Sequence, residues 1–494
     1  MHYVSTRDSA RRLTASEAIV EGLSRDGGLY LPESIPQITL ADIQALAALP
    51  YPQRAAKIMK LYLDEFTEQE LLSYAEKAYG PAKFDTPAAA PVVKTEDSTY
   101  VQELWHGPTC AFKDMALQML PYLLTASLQK TGEEKTVCIL VATSGDTGKA
   151  ALEGFRDVDR TKILVFYPDG GVSDIQKLQM VTQEGQNVGV CAVRGNFDDA
   201  QTGVKRIFSD EALRQTLAAR GYFLSSANSI NWGRVLPQIV YYISAYCDLL
   251  KQGAIAPGGK INICVPTGNF GNILAGFYAK RMGVPIATLI CASNENNVLT
   301  DFIQTGTYDR NRPFYQTASP SMDILISSNL ERLLYLLSGS DEEVRGYMQA
   351  LAAAGRYTVS QAVADAIRAE FACGFCTDAG GAATIGRMFR ENSYLMDTHT
   401  AVAYTVLQAY RARTGDRTPT VVASTASPFK FCASVLHALG VAEHRPGTQI
   451  LAQLTSVTGR PAPAPLAGLA GKRVRFDEVA DKAAMEAVVT EFLQ

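Results

Sequence analysis

The stretch VCILVATSGDTGKAAL, Val137 to Leu152, runs from six apolar residues through two hydroxyls and a glycine-flanked aspartate into a helical pattern. Val137 to Ala142 have the length and β-branched bias of one buried strand, and the residues after the turn have the look of a helix start. A strand that passes into a helix through so short a turn is half of a βαβ unit. Its turn leaves backbone N–H groups pointing outward and unpaired, a ready anion site. Gly148 and Lys149 invite comparison with a nucleotide P-loop, but that pattern needs glycine at 143 and serine or threonine at 150. The chain has Thr143 and Ala150, so the turn reads as a site for a small anion.

The same grammar recurs on both sides of this unit. KILVFY (Lys162 to Tyr167), VGVCAV (Val188 to Val193), INICV (Ile261 to Val265), IATLIC (Ile286 to Cys291) and TVVAS (Thr420 to Ser424) are each about one strand long, and most lead through Gly, Ser, Thr or Asn into a helix. Such alternation predicts an α/β protein with parallel sheets that binds ligands at the C-terminal ends of its strands. The first ninety residues read as turns and helices, with DGGLYLP (Asp26 to Pro32) turning into a short extended piece, and the Pro/Ala stretch Thr86 to Pro91 reads as a boundary. Residues 295 to 400 break the rhythm and are expected to form a mainly helical insertion or lid. The expected division is an N-terminal domain at 1–92, a smaller α/β domain at 130–205, and a larger one built from 93–129 and 206–494.

Three further segments carry chemistry. PTGNFGNILAG, Pro266 to Gly276, follows a strand and opens a helix; Gly268 and Gly271 permit close backbone approach, and Asn269 and Asn272 offer amide donors. Phe270 occupies the second glycine position of a dinucleotide fingerprint, so the loop suits a monophosphate. STASPFKF, Ser424 to Phe431, ends the last strand with hydroxyls at Ser424 and Thr425 and places Lys430 about one turn on. ELWHGPTCAFKDMALQ, Glu103 to Gln118, sets Lys113 between Phe112 and Asp114 where a Gly-Pro-Thr turn gives way to an apolar helix. A lysine in such company is at least partly desolvated, and desolvated lysines shed a proton readily and form Schiff bases with carbonyls.

Length and composition set the frame. A chain of 494 residues with 47% apolar content has material for two or more domains. A net charge of -4, with both signs mixed along the chain, gives no electrostatic case for nucleic acid or an anionic membrane, which leaves small molecules or other subunits as partners. Nine cysteines, odd in number and mostly inside apolar runs, read as thiols of a reducing compartment; Cys373 and Cys376 form a C-x-x-C without the second ligand pair that zinc needs, so no metal is expected. No apolar run approaches 18 residues, and a soluble cytoplasmic protein is expected, with Arg7, Arg11 and Arg12 among serines and threonines as a faint transit-peptide alternative.

A lysine that forms a Schiff base, a Gly/Asn loop for one phosphate and a second loop for a small anion together describe pyridoxal 5'-phosphate and an amino-acid carboxylate. At this point the chain resembles the threonine synthase family, in its longer form with an N-terminal domain. The resemblance rests on EAIVEGLSRDGGLYLP (Glu17 to Pro32), HGPTCAFKDMALQ, TSGDTG, SSANSINWGR (Ser225 to Arg234), PTGNFGN, SPSMDI (Ser319 to Ile324), DTHTAVA (Asp397 to Ala403) and STASPFKF, in order and nearly end to end.

The resemblance implies an α/β protein of pyridoxal phosphate fold type II, like the tryptophan synthase β chain: two parallel-sheet α/β domains plus a mainly helical N-terminal domain. It implies that Lys113 holds the cofactor and later moves protons, that Gly268, Asn269, Phe270, Gly271 and Asn272 bind its phosphate, and that Thr425 sits by its ring nitrogen. Thr143, Ser144, Asp146 and Thr147 would lie by the substrate, with Asn228 and Asn231 lining the same cleft. Arg234, Lys177 and Lys430 are candidates for the substrate phosphate by charge alone. Ser427 stands where some members have histidine, and Thr398 where some have proline; neither touches the lysine or the Gly/Asn loop. The implied reaction converts O-phospho-L-homoserine and water to L-threonine and phosphate. A lyase that releases 2-oxobutyrate, ammonia and phosphate is the open alternative, and monomer and homodimer are both open.

Overall fold

In the computed structural model, which describes residues 1–494 apart from the side chain at position 198, two sheets hold most of the strands. The larger has six, in the order Phe371–Phe375, Ile286–Ser293, Ile261–Pro266, Thr420–Ser424, Thr99–Glu103, Val92–Glu96. Its neighbours run parallel except the last two, which form an antiparallel hairpin. The smaller sheet has five parallel strands, in the order Val479–Asp481, Val188–Arg194, Thr161–Pro168, Thr136–Ala142, Tyr222–Ser225. Helices cover the faces of a parallel sheet, which is why its strands read as unbroken apolar runs. Each strand read from the sequence lies in one of these sheets.

The expected division is corrected at two places. Tyr222–Ser225 pairs with Thr136–Ile139 at one edge of the smaller sheet, and Val479–Asp481 returns from the far end of the chain to pair with Ala192–Arg194 at the other. Both lie outside 130–205, and at four and three residues they are too short to show a period. The stretch 295–400 is mainly helical and also holds short strands: Thr307–Asp309 pairs with Arg356–Thr358, and Phe371–Phe375 is an edge strand of the larger sheet. The N-terminal segment also carries a three-stranded antiparallel sheet, Asp8–Leu13, Tyr3–Ser5 and Tyr30–Pro32, beside its helices.

That N-terminal segment is docked on the centre of the molecule. The rings of Tyr3 and Tyr62 each lie 5.7 Å from that of Trp232, at the start of the buried 20-residue helix Trp232–Lys251. Arg54 reaches the same helix, pairing with Asp248 at 2.6 Å and bonding Ser244 Oγ at 2.7 Å. Among the described residues no helix is long and apolar enough to cross a membrane, and the nine cysteines are buried free thiols.

Candidate active site

Lys113 reaches the site through its backbone. Phe112 donates its N–H to the Thr425 carbonyl at 2.8 Å, Ser427 donates to the Cys110 carbonyl at 3.0 Å, and Ala111 and Ala426 form an antiparallel bridge. The segment before Lys113 is thus zipped to the C-terminal end of a central strand, which sets Lys113 beside Thr425. The preceding turn is closed by Asp114, which accepts the Thr109 N–H at 2.8 Å and its hydroxyl at 2.7 Å. A Cβ on Gly107 would lie 2.6 Å from the Asp114 side chain, so the turn requires glycine there.

Lys113 is 9% exposed and its ammonium makes no hydrogen bond among the described residues. Burial pulls its pKa down to about 8; Asp146 opposes this, while the cations Arg234 and Lys430 add to it. Of the two hydroxyls at the strand end, that of Ser424 is engaged, accepting Trp105 Nε1 at 3.1 Å and the Thr400 hydroxyl at 2.9 Å. The Thr425 hydroxyl has no partner among the described residues.

The anion turn is built from within. Thr143 Oγ1 accepts the N–H groups of Gly145 at 3.0 Å and Gly148 at 2.9 Å, and Gly145 has a φ of 127, which only glycine adopts readily. Thr143 therefore shapes the loop rather than facing a ligand, while Ser144 and Thr147 are part-exposed. Asp146 Oδ1 accepts Gln176 Nε2 at 2.8 Å and pairs with Lys430 Nζ at 3.0 Å. Burial alone would raise its carboxyl, but Lys430, Lys113 and Gln176 outweigh that and hold it well below the usual range. Lys430 also donates to the Thr109 carbonyl at 2.9 Å and Gln179 Oε1 at 2.8 Å, so its three donors are spent and it is corrected from a phosphate candidate to a buried strut.

The Gly/Asn loop forms the start of the helix Gly271–Arg281. Phe270 is held left-handed at φ 63, and the backbone N–H groups of Gly268 to Ile273 have no partner among the described residues. Asn272 Oδ1 accepts the Tyr241 hydroxyl at 2.9 Å and that of Tyr242, yet its Nδ2 is buried and unpartnered. A Cβ on Gly268 would stand 2.9 Å from the Ser321 carbonyl. Free amides at a helix N-terminus plus an orphaned buried carboxamide donor fit a bound phosphate monoester.

The remaining candidates separate. Arg234 is 3% exposed, has no carboxylate partner among the described residues, donates Nη1 to the Ala227 carbonyl, and leaves Nε buried and unused. Burial lowers its pKa to about 10, so it stays cationic at neutral pH and lacks an anion. Asn231, by contrast, is corrected to a structural role: Oδ1 caps the helix through the Gly233 N–H at 2.9 Å and Nδ2 holds the Ile19 carbonyl at 3.0 Å. Asn228 is half-buried beside it, its N–H on Ser226 Oγ at 3.2 Å. Lys177 is not brought to the site; it is half-exposed and faces Asp169 at 3.7 Å.

Sequence reading assigned no role to His399 or Gln176. His399 Nε2 accepts the Ser321 N–H at 3.2 Å while Nδ1 bonds Asp397 at 2.7 Å, which fixes the tautomer and seats the segment that covers Gly268. The motif DTHTAVA holds Asp397 and His399, but only the fold shows what they grip.

Family models match along the chain: threonine synthase N terminus over residues 2–79, pyridoxal-phosphate dependent enzyme over 83–426, and threonine synthase, C-terminal, over 400–489. A human protein named threonine synthase-like 1 is 40% identical over 89% of this chain, and the alignment spans 61% of that relative's length. A threonine synthase of Pseudomonas aeruginosa is 39% identical over 88% of this chain and 90% of its own. Among solved structures, a pyridoxal phosphate-bound threonine synthase of Brucella melitensis superposes with a TM-score of 0.88 at 39% identity, covering 100% of both chains. The yeast threonine synthase gives 0.88 at 32% identity, covering 100% of this chain and 98% of that one.

Proposed function

Because the chain belongs to the threonine synthase family, we propose that it binds pyridoxal 5'-phosphate and converts O-phospho-L-homoserine and water to L-threonine and phosphate. The observation that carries this reading is Lys113: a buried amine with no hydrogen bond among the described residues and a pKa near 8, zipped beside Thr425. The site residues fit the cofactor. Lys113 would hold it covalently, the free amides of the Gly268–Asn272 loop and Asn272 Nδ2 would take its phosphate, and the Thr425 hydroxyl would face its ring nitrogen. When bound, pyridoxal phosphate supplies a carbonyl that captures the substrate amine and a conjugated ring that draws electrons from its Cα.

The chain's own residues then divide the work. An amine of pKa near 8 is partly neutral at neutral pH, so Lys113 can take the Cα proton and then a Cβ proton, and return one at Cγ. Ser144, Thr147 and the amides that open the helix Asp146–Phe155 offer donors to the substrate carboxylate. Arg234, a buried cation without an acid partner among the described residues, is suited to the substrate phosphate and to the phosphate that leaves Cγ. A hydroxyl at residue 425, where a carboxylate would hold the ring nitrogen protonated, favours passing charge outward from Cα, so that the electron pair left when the Cβ proton is taken expels that phosphate from Cγ. Water added at Cβ, with a proton returned to Cα, completes threonine. Nine buried free thiols support a reducing, cytoplasmic setting, and either a monomer or a homodimer can house this site.

The test is an assay of the purified protein with pyridoxal phosphate and O-phospho-L-homoserine for phosphate, threonine and 2-oxobutyrate together. Equal amounts of threonine and phosphate support the synthase. Phosphate with 2-oxobutyrate would make the protein a lyase, and no phosphate would remove the substrate assignment.

A further inference from the structure

Arg332, in the helix Leu330–Ser338, is fully buried yet pairs with no carboxylate among the described residues. The adjacent acid is taken: Glu331 binds Arg7 through both oxygens, at 2.7 and 2.8 Å, and also accepts the Thr6 hydroxyl. Arg332 spends its donors on oxygens of three separate segments. Nε bonds the Tyr30 carbonyl at 2.8 Å in the N-terminal sheet; Nη1 bonds the Ser229 carbonyl at 3.2 Å and Asn329 Oδ1; Nη2 bonds the Ile230 carbonyl at 2.6 Å. A guanidinium buried without an acid is costly unless its donors are satisfied, and here they are satisfied by gathering backbone.

What is gathered lies directly against the Gly/Asn loop. Asn329, oriented by Arg332, donates its N–H to the Asn269 carbonyl at 3.1 Å and its Nδ2 to Ser229 Oγ at 3.0 Å. Two residues earlier, Ser327 Oγ donates to the Gly268 carbonyl at 2.7 Å. A Cβ on Gly271 would come 3.3 Å from Asn329 Nδ2 and 3.4 Å from Ser229 Cβ, so loop and cluster are in contact. The C=O and N–H of one trans peptide point in opposite directions. Tying the Gly268 carbonyl to Ser327 therefore turns the Asn269 N–H the other way, and tying the Asn269 carbonyl to Asn329 does the same for the Phe270 N–H. Both amides lack a partner among the described residues.

We infer that Arg332 is a positioning residue for the cofactor phosphate: it fixes Asn329, whose hold on one loop carbonyl, with that of Ser327 on the next, aims the amides of Asn269 and Phe270. Through the Tyr30 carbonyl the N-terminal segment is part of the same clamp. This rests on the reading of the loop as a pyridoxal phosphate site.

The experiment titrates apoprotein with pyridoxal phosphate and, separately, with pyridoxal, which lacks the phosphate, for the wild type, Arg332→Lys and Asn329→Ala, with thermal melting of each. Arg332→Lys is expected to weaken pyridoxal phosphate about tenfold, as for one or two hydrogen bonds to an anion, and to leave pyridoxal within about twofold. Asn329→Ala keeps the three Arg332 bonds to backbone carbonyls and its own backbone N–H on the Asn269 carbonyl, but loses the side-chain ties to Arg332 and Ser229 that hold that N–H in place; it is expected to give a loss with the same selectivity and decides the matter if Arg332→Lys fails to fold. Equal weakening of both compounds, or of neither, would overturn the inference. Wild-type protein that binds neither compound would overturn the cofactor assignment and the inference with it.

Discussion

The Phe112 N–H and the Thr425 carbonyl, 2.8 Å apart, join two segments more than 300 residues distant in the chain and fix Lys113 at the end of a central strand. The neighbourhood this creates is cationic and dry, with Arg234 and Lys430 near the amine and Asp146 as the opposing charge. That combination is the source of the low lysine pKa.

Replacing Lys113 with alanine should abolish the visible absorbance of the bound cofactor and lower threonine formation by at least ~10³-fold, within the span that a positioned acid–base group contributes. Absorbance and product assays on one preparation check both effects.

The pKa near 8 gives a pH prediction. The neutral amine is the nucleophile, so the rate at which apoprotein captures pyridoxal phosphate should rise with pH through about 8, not through the ordinary lysine value of 10.5. The linked stability effect has a definite sign. Between these two values the unfolded chain binds the proton that the folded chain has released, so the apoprotein gains stability as pH rises from 8 toward 10.5. Stopped-flow absorbance reads the first effect and denaturant unfolding of the apoprotein the second.

Asp146 and Lys430 form a pair with side chains 4% and 0% exposed. Asp146→Asn leaves the Lys430 charge buried without its acid and should cost about 3–5 kcal/mol of stability, the range for breaking a buried pair from one side. Urea unfolding of wild type and variant gives the difference; a change below about 1 kcal/mol would mean the pair is solvated in solution.

Asn231 and Lys177 should behave unlike binding residues. Asn231→Ala removes a helix cap and a link to the Ile19 carbonyl, so it should lower stability by about 1–3 kcal/mol. Lys177→Ala should leave both KM and stability nearly unchanged, since its Asp169 contact is long and exposed. Steady-state kinetics with thermal melts on the two variants separate these expectations.

Gly268→Ala should weaken pyridoxal phosphate binding, because the added Cβ meets the Ser321 carbonyl at 2.9 Å and the loop must shift off the segment that seats it. A cofactor titration detects the loss, and unchanged affinity would mean that segment yields.

Much of this was legible in the sequence because it is local. A buried parallel strand is an apolar run of fixed length, and a turn that opens a helix with Gly, Ser, Thr or Asn declares itself within ten residues. The apolar surroundings of Lys113 could be read the same way. Tertiary pairing could not. Lys430 and Arg234 are both cations in sequence, and only the fold shows that one is saturated by Asp146, Gln179 and Thr109 while the other has no acid among the described residues. Asn231 carries the sequence mark of a helix cap, an asparagine ahead of a helix, but its motif drew it toward the cleft. Arg332 and Asn329 left no sequence signal, because their partners lie about 60 to 300 residues away. The edge strands Tyr222–Ser225 and Val479–Asp481 are too short for a period to show.

The central claim is that the bond from Cγ to the phosphate oxygen breaks and that water enters at Cβ. Turnover of O-phospho-L-homoserine in water enriched in oxygen-18, followed by mass spectrometry of both products, tests it most directly. One labelled oxygen in threonine and none in phosphate is the expected result. Label in the phosphate, with homoserine as the other product, would mean that the P–O bond is hydrolysed and would contradict it.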